Sequence, residues 1–330
     1  MFFYKPGPID MRRWRKFAWL VMMCVIPLML AGVLLSYHYY KPIPEPLAMP
    51  VICGPSEVTP GGNKAILTLT NGRSLALEGT TYGELAREGF TQILYSGEGT
   101  IVYRTGKTTP GCKDYNVITI PPGGQYSVVL PDGSKIWLNN ASRLRYPVSF
   151  NGRERRVELS GEAYFKIARN AGRPFYVVVG KHSSSSQTVE MEALGTEFDV
   201  KAYPDEGTCK ATLFGGNLKL RTGRKALVLQ PGQQAEVTPD ENLYLKTDQD
   251  AEQAAAWKNG LFSFQGASIQ EIMRQVARWY NVDVVYKDNI GQRFVGKIPR
   301  GVDITTLLSM LEATGWVHFR LKGRTVTVME

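Results

Sequence analysis

The stretch Phe17–Tyr40 contains no Asp, Glu, Lys or Arg. Wound as a helix it would span about 36 Å, enough to cross a hydrocarbon core of about 30 Å with some tilt. Pro27 lies inside it, and a membrane helix tolerates an internal proline better than a soluble one does. Arg12, Arg13, Arg15 and Lys16 come just before the run. By the positive-inside rule this basic anchor stays in the cytoplasm and the rest of the chain is exported. Trp14 and Trp19 at one end, with Tyr37, Tyr39 and Tyr40 at the other, suit the two membrane interfaces. A cleaved signal peptide is the competing reading. Its apolar region usually runs to about 7–15 residues before a small-residue cleavage site. This run is longer and ends in Tyr37-His38-Tyr39-Tyr40, and Val33 stands where a lipoprotein signal needs its cysteine. The expected layout is a short tail over 1–16, a transmembrane helix over 17–40 and a Pro-rich spacer over 41–57, with four prolines between Lys41 and Pro50.

The chain has 330 residues, room for two or three domains at about 100–150 residues each. Glycine (33) and proline (19) are frequent enough to imply many turns and short strands. Lys and Arg exceed Asp and Glu, giving a net charge of +9. Outside Arg12–Lys16 the basic residues are scattered, with no basic stripe interleaved with aromatics, so no nucleic-acid partner is expected. The four cysteines, Cys24, Cys53, Cys112 and Cys209, form no CxxC pair, which argues against zinc. Of the three beyond the apolar run, at most two can pair, and spacing does not choose between them.

From about 58 to 250 the pattern is β. Short runs of alternating hydrophobicity are bounded by turn residues. Ala65–Leu69 precedes Asn71-Gly72, and Tyr126–Leu130 precedes Asp132-Gly133, the strongest short hairpin signals. Further strands are expected at Arg156–Leu159, Phe175–Val179, Phe198–Ala202, Leu218–Leu220 and Ala235–Val237. Pro60-Gly61-Gly62, Pro122-Gly123-Gly124 and, more loosely, Pro231-Gly232 each open a turn–strand–turn–strand unit. The expected architecture is a sandwich or a stack of hairpins.

After a polar, Ala-rich boundary at Thr247–Trp257 the periodicity changes. Leu261–Gln265 reads as a strand. Ser268 with Glu271 forms a capping box, and Ile269, Ile272, Met273, Val276, Ala277 and Tyr280 fall on one helical face. Strands come next at Val282–Tyr286 and Phe294–Ile298. Asp303 caps a second helix that ends by Gly315, and Val317–Leu321 with Thr325–Met329 closes as a hairpin. The order βαββαββ over 257–330 defines a small α+β domain.

The three histidines, His38, His182 and His318, stand at no metal-ligand spacing, and no GxSxG, HExxH or phosphate-cradling loop is present. Acidic pairs such as Asp205-Glu206 read as exposed turns. The expectation is a binding and transmitting protein: no enzyme, no catalytic residue, no metal and no cofactor.

Several stretches carry a resemblance, in order: VTPGGNKA (58–65), LPDGSKIWLNNASRLRYPVSF (130–150), LSGEAYFKIARNAGRPF (159–175), ALGTEFDVKAY (193–203), LQPGQQAEV (229–237) and WKNGLFSF (257–264). Together with the remaining residues to Glu330, these stretches resemble FecR proteins of the long form that carries a FecR C-terminal domain. The resemblance implies an anti-sigma regulator of cell-surface signalling, single-pass in a bacterial inner membrane, with the bulk of the chain periplasmic. Its partners would be an ECF sigma factor and the periplasmic signalling domain of a TonB-dependent outer-membrane transducer. The C-terminal pattern looks like the short signalling domain of secretins and transducers, so docking by sheet-edge pairing is expected. The last strand, Thr325, Val326, Thr327, Val328 and Met329, is the expected edge. The family's cytoplasmic part is usually several tens of helical residues, whereas 16 precede the apolar run here, or fewer if Met11 is the start. The sigma-binding domain is then lost, encoded elsewhere, or folds on a partner. The alternative function is a membrane-anchored periplasmic scaffold without sigma-factor contact.

Overall fold

The computed structural model describes residues 58–106, 114–180, 188–247 and 251–330. The basic anchor Arg12, Arg13, Arg15 and Lys16, the apolar run and the spacer lie outside them, as do Cys53 and Cys112. Cys209, within them, is free and buried. Among the described residues no helix is long and apolar enough to cross a membrane.

The β region resolves into two sheets rather than a file of hairpins. The first runs, in spatial order, Ser74–Ala76, Ile66–Thr68, Tyr115–Thr119, Arg143–Pro147, Arg155–Lys166, Phe175–Val179, Val189–Ala193, Leu218–Thr222 and Lys225–Leu229. The second runs Gly83–Glu88, Thr91–Gly97, Thr100–Thr105, Gly124–Val129, Lys135–Leu138, Arg155–Lys166, Glu197–Ala202, Cys209–Gly215, Gln234–Val237 and Leu243–Lys246. Along most of these strands buried and open residues alternate, as in Ile136 and Leu138 against Lys135 and Trp137. The inward sets of both sheets fuse into one apolar core. Buried Tyr103 and Tyr146, one from each sheet, share a hydroxyl hydrogen bond of 2.9 Å across it.

One strand belongs to both sheets. Arg155–Lys166 pairs with Arg143–Pro147 and Phe175–Val179 through its first half, and with Lys135–Leu138 and Glu197–Ala202 through its second. The exchange occurs at Gly161, whose φ is +99°. A Cβ there would stand 2.4 Å from Ser142 Oγ and 2.7 Å from Ser142 Cα, closer than real atoms approach. Only glycine fits that position.

The Asn71-Gly72 and Asp132-Gly133 hairpins form as expected. Only the glycines take positive φ, +83° and +82°. The preceding residue acts through its side chain: Asn71 Oδ1 accepts from Arg73 N at 2.9 Å and Asp132 Oδ1 from Ser134 N at 3.0 Å. Each is a three-residue loop with glycine in the left-handed position and an Asx turn before it.

After a short helix, Ala251–Ala255, and a 3-10 turn, Ala256–Asn259, the expected βαββαββ order appears. Leu261–Ser268 pairs with Arg293–Pro299, bulged near Gly266. Ser268 caps the helix Ile269–Tyr280: its Oγ accepts from Glu271 N, while Glu271 Oε2 accepts from Ser268 N at 2.8 Å. Asp303 caps Ile304–Glu312. These elements close a second apolar core.

The last strand is not an edge. Thr325–Met329 sits between Asp283–Tyr286, to which it is parallel, and His318–Lys322, to which it is antiparallel. Residues Thr325, Val326, Thr327 and Val328 pair with the first neighbour, and all five, Met329 included, with the second. Val326 and Val328 are fully buried. Being last in the chain does not place a strand last in the sheet, because the crossover through Ile304–Glu312 brings the chain end back inside. The outer strands of this sheet are Asp283–Tyr286 and His318–Lys322.

Candidate functional site

The polar chemistry concentrates where the C-terminal module meets the sandwich. The helix Ile269–Tyr280 points its last turn at the loop after Glu197–Ala202. There Arg278 donates through Nη1 to Glu206 Oε1 and through Nη2 to Asp205 Oδ2, both at 2.6 Å. Its guanidinium lies 3.7 Å from the centroid of the Tyr203 ring. Lys201 Nζ completes the group at 2.9 Å from Glu206 Oε2. Asp205-Glu206 is thus only half the exposed turn expected: Asp205 is 61% exposed at its side chain but Glu206 is 11%.

A second set surrounds Arg300, which follows the strand Arg293–Pro299. Its guanidinium stacks 3.7 Å over Trp279 and donates to Asn139 Oδ1 at 2.9 Å and to the Trp257 carbonyl at 3.2 Å. Asn139 Nδ2 donates to Glu162 Oε2 at 2.6 Å, and Tyr203 OH to the Asn140 carbonyl at 2.8 Å. Trp257 packs on Tyr164 and donates from Nε1 to Asp199 Oδ1 at 3.1 Å, tying the connecting segment to the sandwich. Asn139, Asn140, Glu162 and Asp199 all come from conspicuous motifs, WLNN, GEAYF and TEFDV. Arg278 and Arg300 carry no local signal: on a helix face or after a strand they look like ordinary solvated charges.

Burial is the leading influence on most of these groups. It pushes the Glu162 carboxyl up and holds Asp199 well above the carboxylate range, with the Glu162 charge adding to the effect on Asp199. It also draws Arg300 down to about 10, against the pull of Glu162. At Glu206 burial also works upward, but Lys201 and Arg278 outweigh it and its pKa falls. The consequences for stability have opposite signs. Asp199 binds its proton more tightly folded than unfolded, so its contribution is greatest at low pH and is lost as pH rises through the raised value. Glu206 contributes above the usual carboxylate range and loses that contribution as pH falls through its lowered value. Replacing Asp199 with Asn leaves an oxygen to accept from Trp257 and removes the titration. Asp199→Asn is therefore expected to flatten the decline in stability on the alkaline side, read as urea midpoints from about pH 5 to about pH 8.5. A variant whose midpoints track the parent across that range would show that Asp199 does not set this pH dependence.

A seam built on charged pairs and hydrogen bonds resembles transient inter-domain contacts rather than a continuous core. Its partners are specific to one docked geometry, and removing one strands the other. Among the described residues no group of three or more His, Cys, Asp and Glu is arranged to hold a metal ion. His318 lies exposed on an outer strand.

Comparison with known families and structures agrees with this architecture. The model described as FecR protein matches residues 116–219, and that described as FecR, C-terminal, matches residues 261–328. The chain belongs to the FecR family. A solved structure of a proposed anti-sigma factor from Parabacteroides distasonis ATCC 8503 superposes with a TM-score of 0.59 at 24% identity, over 65% of this chain and 98% of that one. A second structure of that description from the same organism gives the same score and identity over 66% and 99%. At these identities the likeness establishes the fold. No curated protein matches the chain.

Proposed function

We propose that the chain is a membrane-anchored regulator of cell-surface signalling that restrains an ECF sigma factor and takes its signal from a TonB-dependent outer-membrane transducer. The observation that carries this reading is the succession of a FecR match and a FecR C-terminal match along one polypeptide. The solved structures of proposed anti-sigma factors support it, as does the uncharged run Phe17–Tyr40 behind Arg12–Lys16. The C-terminal module is the part offered to the transducer. With Thr325–Met329 enclosed, strand addition would use Asp283–Tyr286 or His318–Lys322; Val285 and Tyr286 on the former are exposed.

The membrane arrangement has a direct test. Alkaline phosphatase fused after Pro50 or after Glu330 is expected to be active, and a cytoplasmic reporter fused at the same points silent. The reverse pattern would place the sandwich on the wrong side of the membrane for this function.

A further inference from the structure

Val58 leads into the sandwich yet packs elsewhere. Its side chain, 1% exposed, belongs to the apolar core of the C-terminal module with Phe262, Ile269 and Trp279. Three residues on, Gly61 lies against the same helix. A Cβ at Gly61 would stand 2.6 Å from Trp279 Cε3 and 2.8 Å from the Gly123 carbonyl oxygen. Its φ is not in the left-handed region, so the indole and that carbonyl, not backbone strain, exclude a larger residue. Only then does the chain join the sandwich: Gly62 and Asn63 pair in parallel with Gly124 and Gln125. Gly62 N donates to the Gly123 carbonyl at 2.9 Å, while Gly123 N donates to the Arg278 carbonyl at 2.7 Å. Two Pro-Gly-Gly turns, distant in sequence, thus meet and together seat the end of the helix Ile269–Tyr280.

We infer that the C-terminal module is a releasable clasp on the segment Val58–Gly61, so that undocking the module frees this segment, through which the chain enters the sandwich. The apolar contacts of Val58 come from the module core, and the side chain pressed on Gly61 comes from the module helix. The module is fixed to the sandwich by the charged seam around Arg278 and Arg300, which a competing partner can open without unfolding either core. This rests on the proposed function only for its use: an event at the module becomes a mechanical event at Val58–Gly61, where the chain enters the sandwich. The clasp itself is a property of the chain alone.

The test is amide exchange on the full chain in detergent micelles. Gly123 N, bonded to Arg278, reports docking; the peptide Val58–Asn63 reports the clasped segment. Exchange across Arg155–Lys166 and Ile304–Glu312 reports that both halves remain folded. Arg278→Glu, which sets a third negative charge against Asp205 and Glu206, is expected to speed exchange at Gly123 and in Val58–Gly61 together, by tenfold or more. Gly61→Val, which wedges the indole from the other side, is expected to speed Gly123 by a similar factor. If Gly123 speeds up in Arg278→Glu while Val58–Gly61 stays protected, the module does not hold the segment. If neither variant speeds either region, the docking is not releasable and the clasp is wrong. Should one variant unfold either half, the other is read alone. Neither failure touches sigma-factor binding, which this measurement does not involve.

Discussion

Replacing Arg155 with methionine is expected to lower the stability of the sandwich by about 3–5 kcal/mol, the usual cost of breaking a buried ion pair from one side. Arg155 is 1% exposed at its side chain and donates from Nη1 to Asp132 Oδ2 at 2.6 Å. It also donates from Nη1 to the Ala168 carbonyl and from Nε to the Arg173 carbonyl, both at 2.9 Å. Asp132 does not serve Arg155 alone: it also accepts from Ser134 N and Oγ, which fixes the Asp132-Gly133 turn. One arginine therefore holds a hairpin loop and two carbonyls of the Ala168–Arg173 segment in a single knot. Arg155→Met leaves the Asp132 charge in place with its strongest partner gone. Adding Asp132→Asn should recover part of the loss, since neighbours in one network are not additive. Urea denaturation of both variants checks this. A single-variant loss below about 1 kcal/mol would show that the pair is no better than a surface salt bridge.

The second large effect is at Gly161. Gly161→Ala is expected to cost at least about 3 kcal/mol, from a disfavoured backbone region and from overlap with Ser142. For a domain of this size that is a fall of roughly 6–12 °C in melting temperature. Ser142 cannot simply step aside, because its Oγ accepts from Glu162 N at 2.9 Å. Glu162 is the residue that reaches Asn139 and the seam, so the damage should spread beyond the core. A Gly161→Ala protein melting within about a degree of the parent would mean that the strand can change sheets without a glycine.

These two positions show what a single sequence discloses. The expected strand stops at Leu159, whereas the observed one runs on through the conspicuous GEAYF stretch to Lys166, and nothing local says that it crosses between sheets. That depends on which strands lie on either side, and those come from residues 135–147 and 175–202. The hairpin turns and both helix caps are legible because their hydrogen bonds join residues close in sequence. The face of Ile269–Tyr280 is legible as one stripe, and Trp279, seven residues after Ile272, lies at its edge; its contacts with Gly61 and Arg300 are not legible, because both are distant in sequence. The place of the last strand is hidden for the same reason: its neighbour Asp283–Tyr286 is distant in sequence and reaches it only through the tertiary crossover. The seam is the least legible part. Its arginines are ordinary in sequence, and only the docked geometry gives them partners.

Restraint of a sigma factor is the central claim for this chain. Its most direct measurement is recovery of the full chain from its own cell membranes after cross-linking, with every attached protein identified and counted. The expected result is an ECF sigma factor in near-equimolar amount, lost when the chain is expressed as Val58–Glu330 alone. Intact chain recovered with an outer-membrane transporter but with no sigma factor would contradict it.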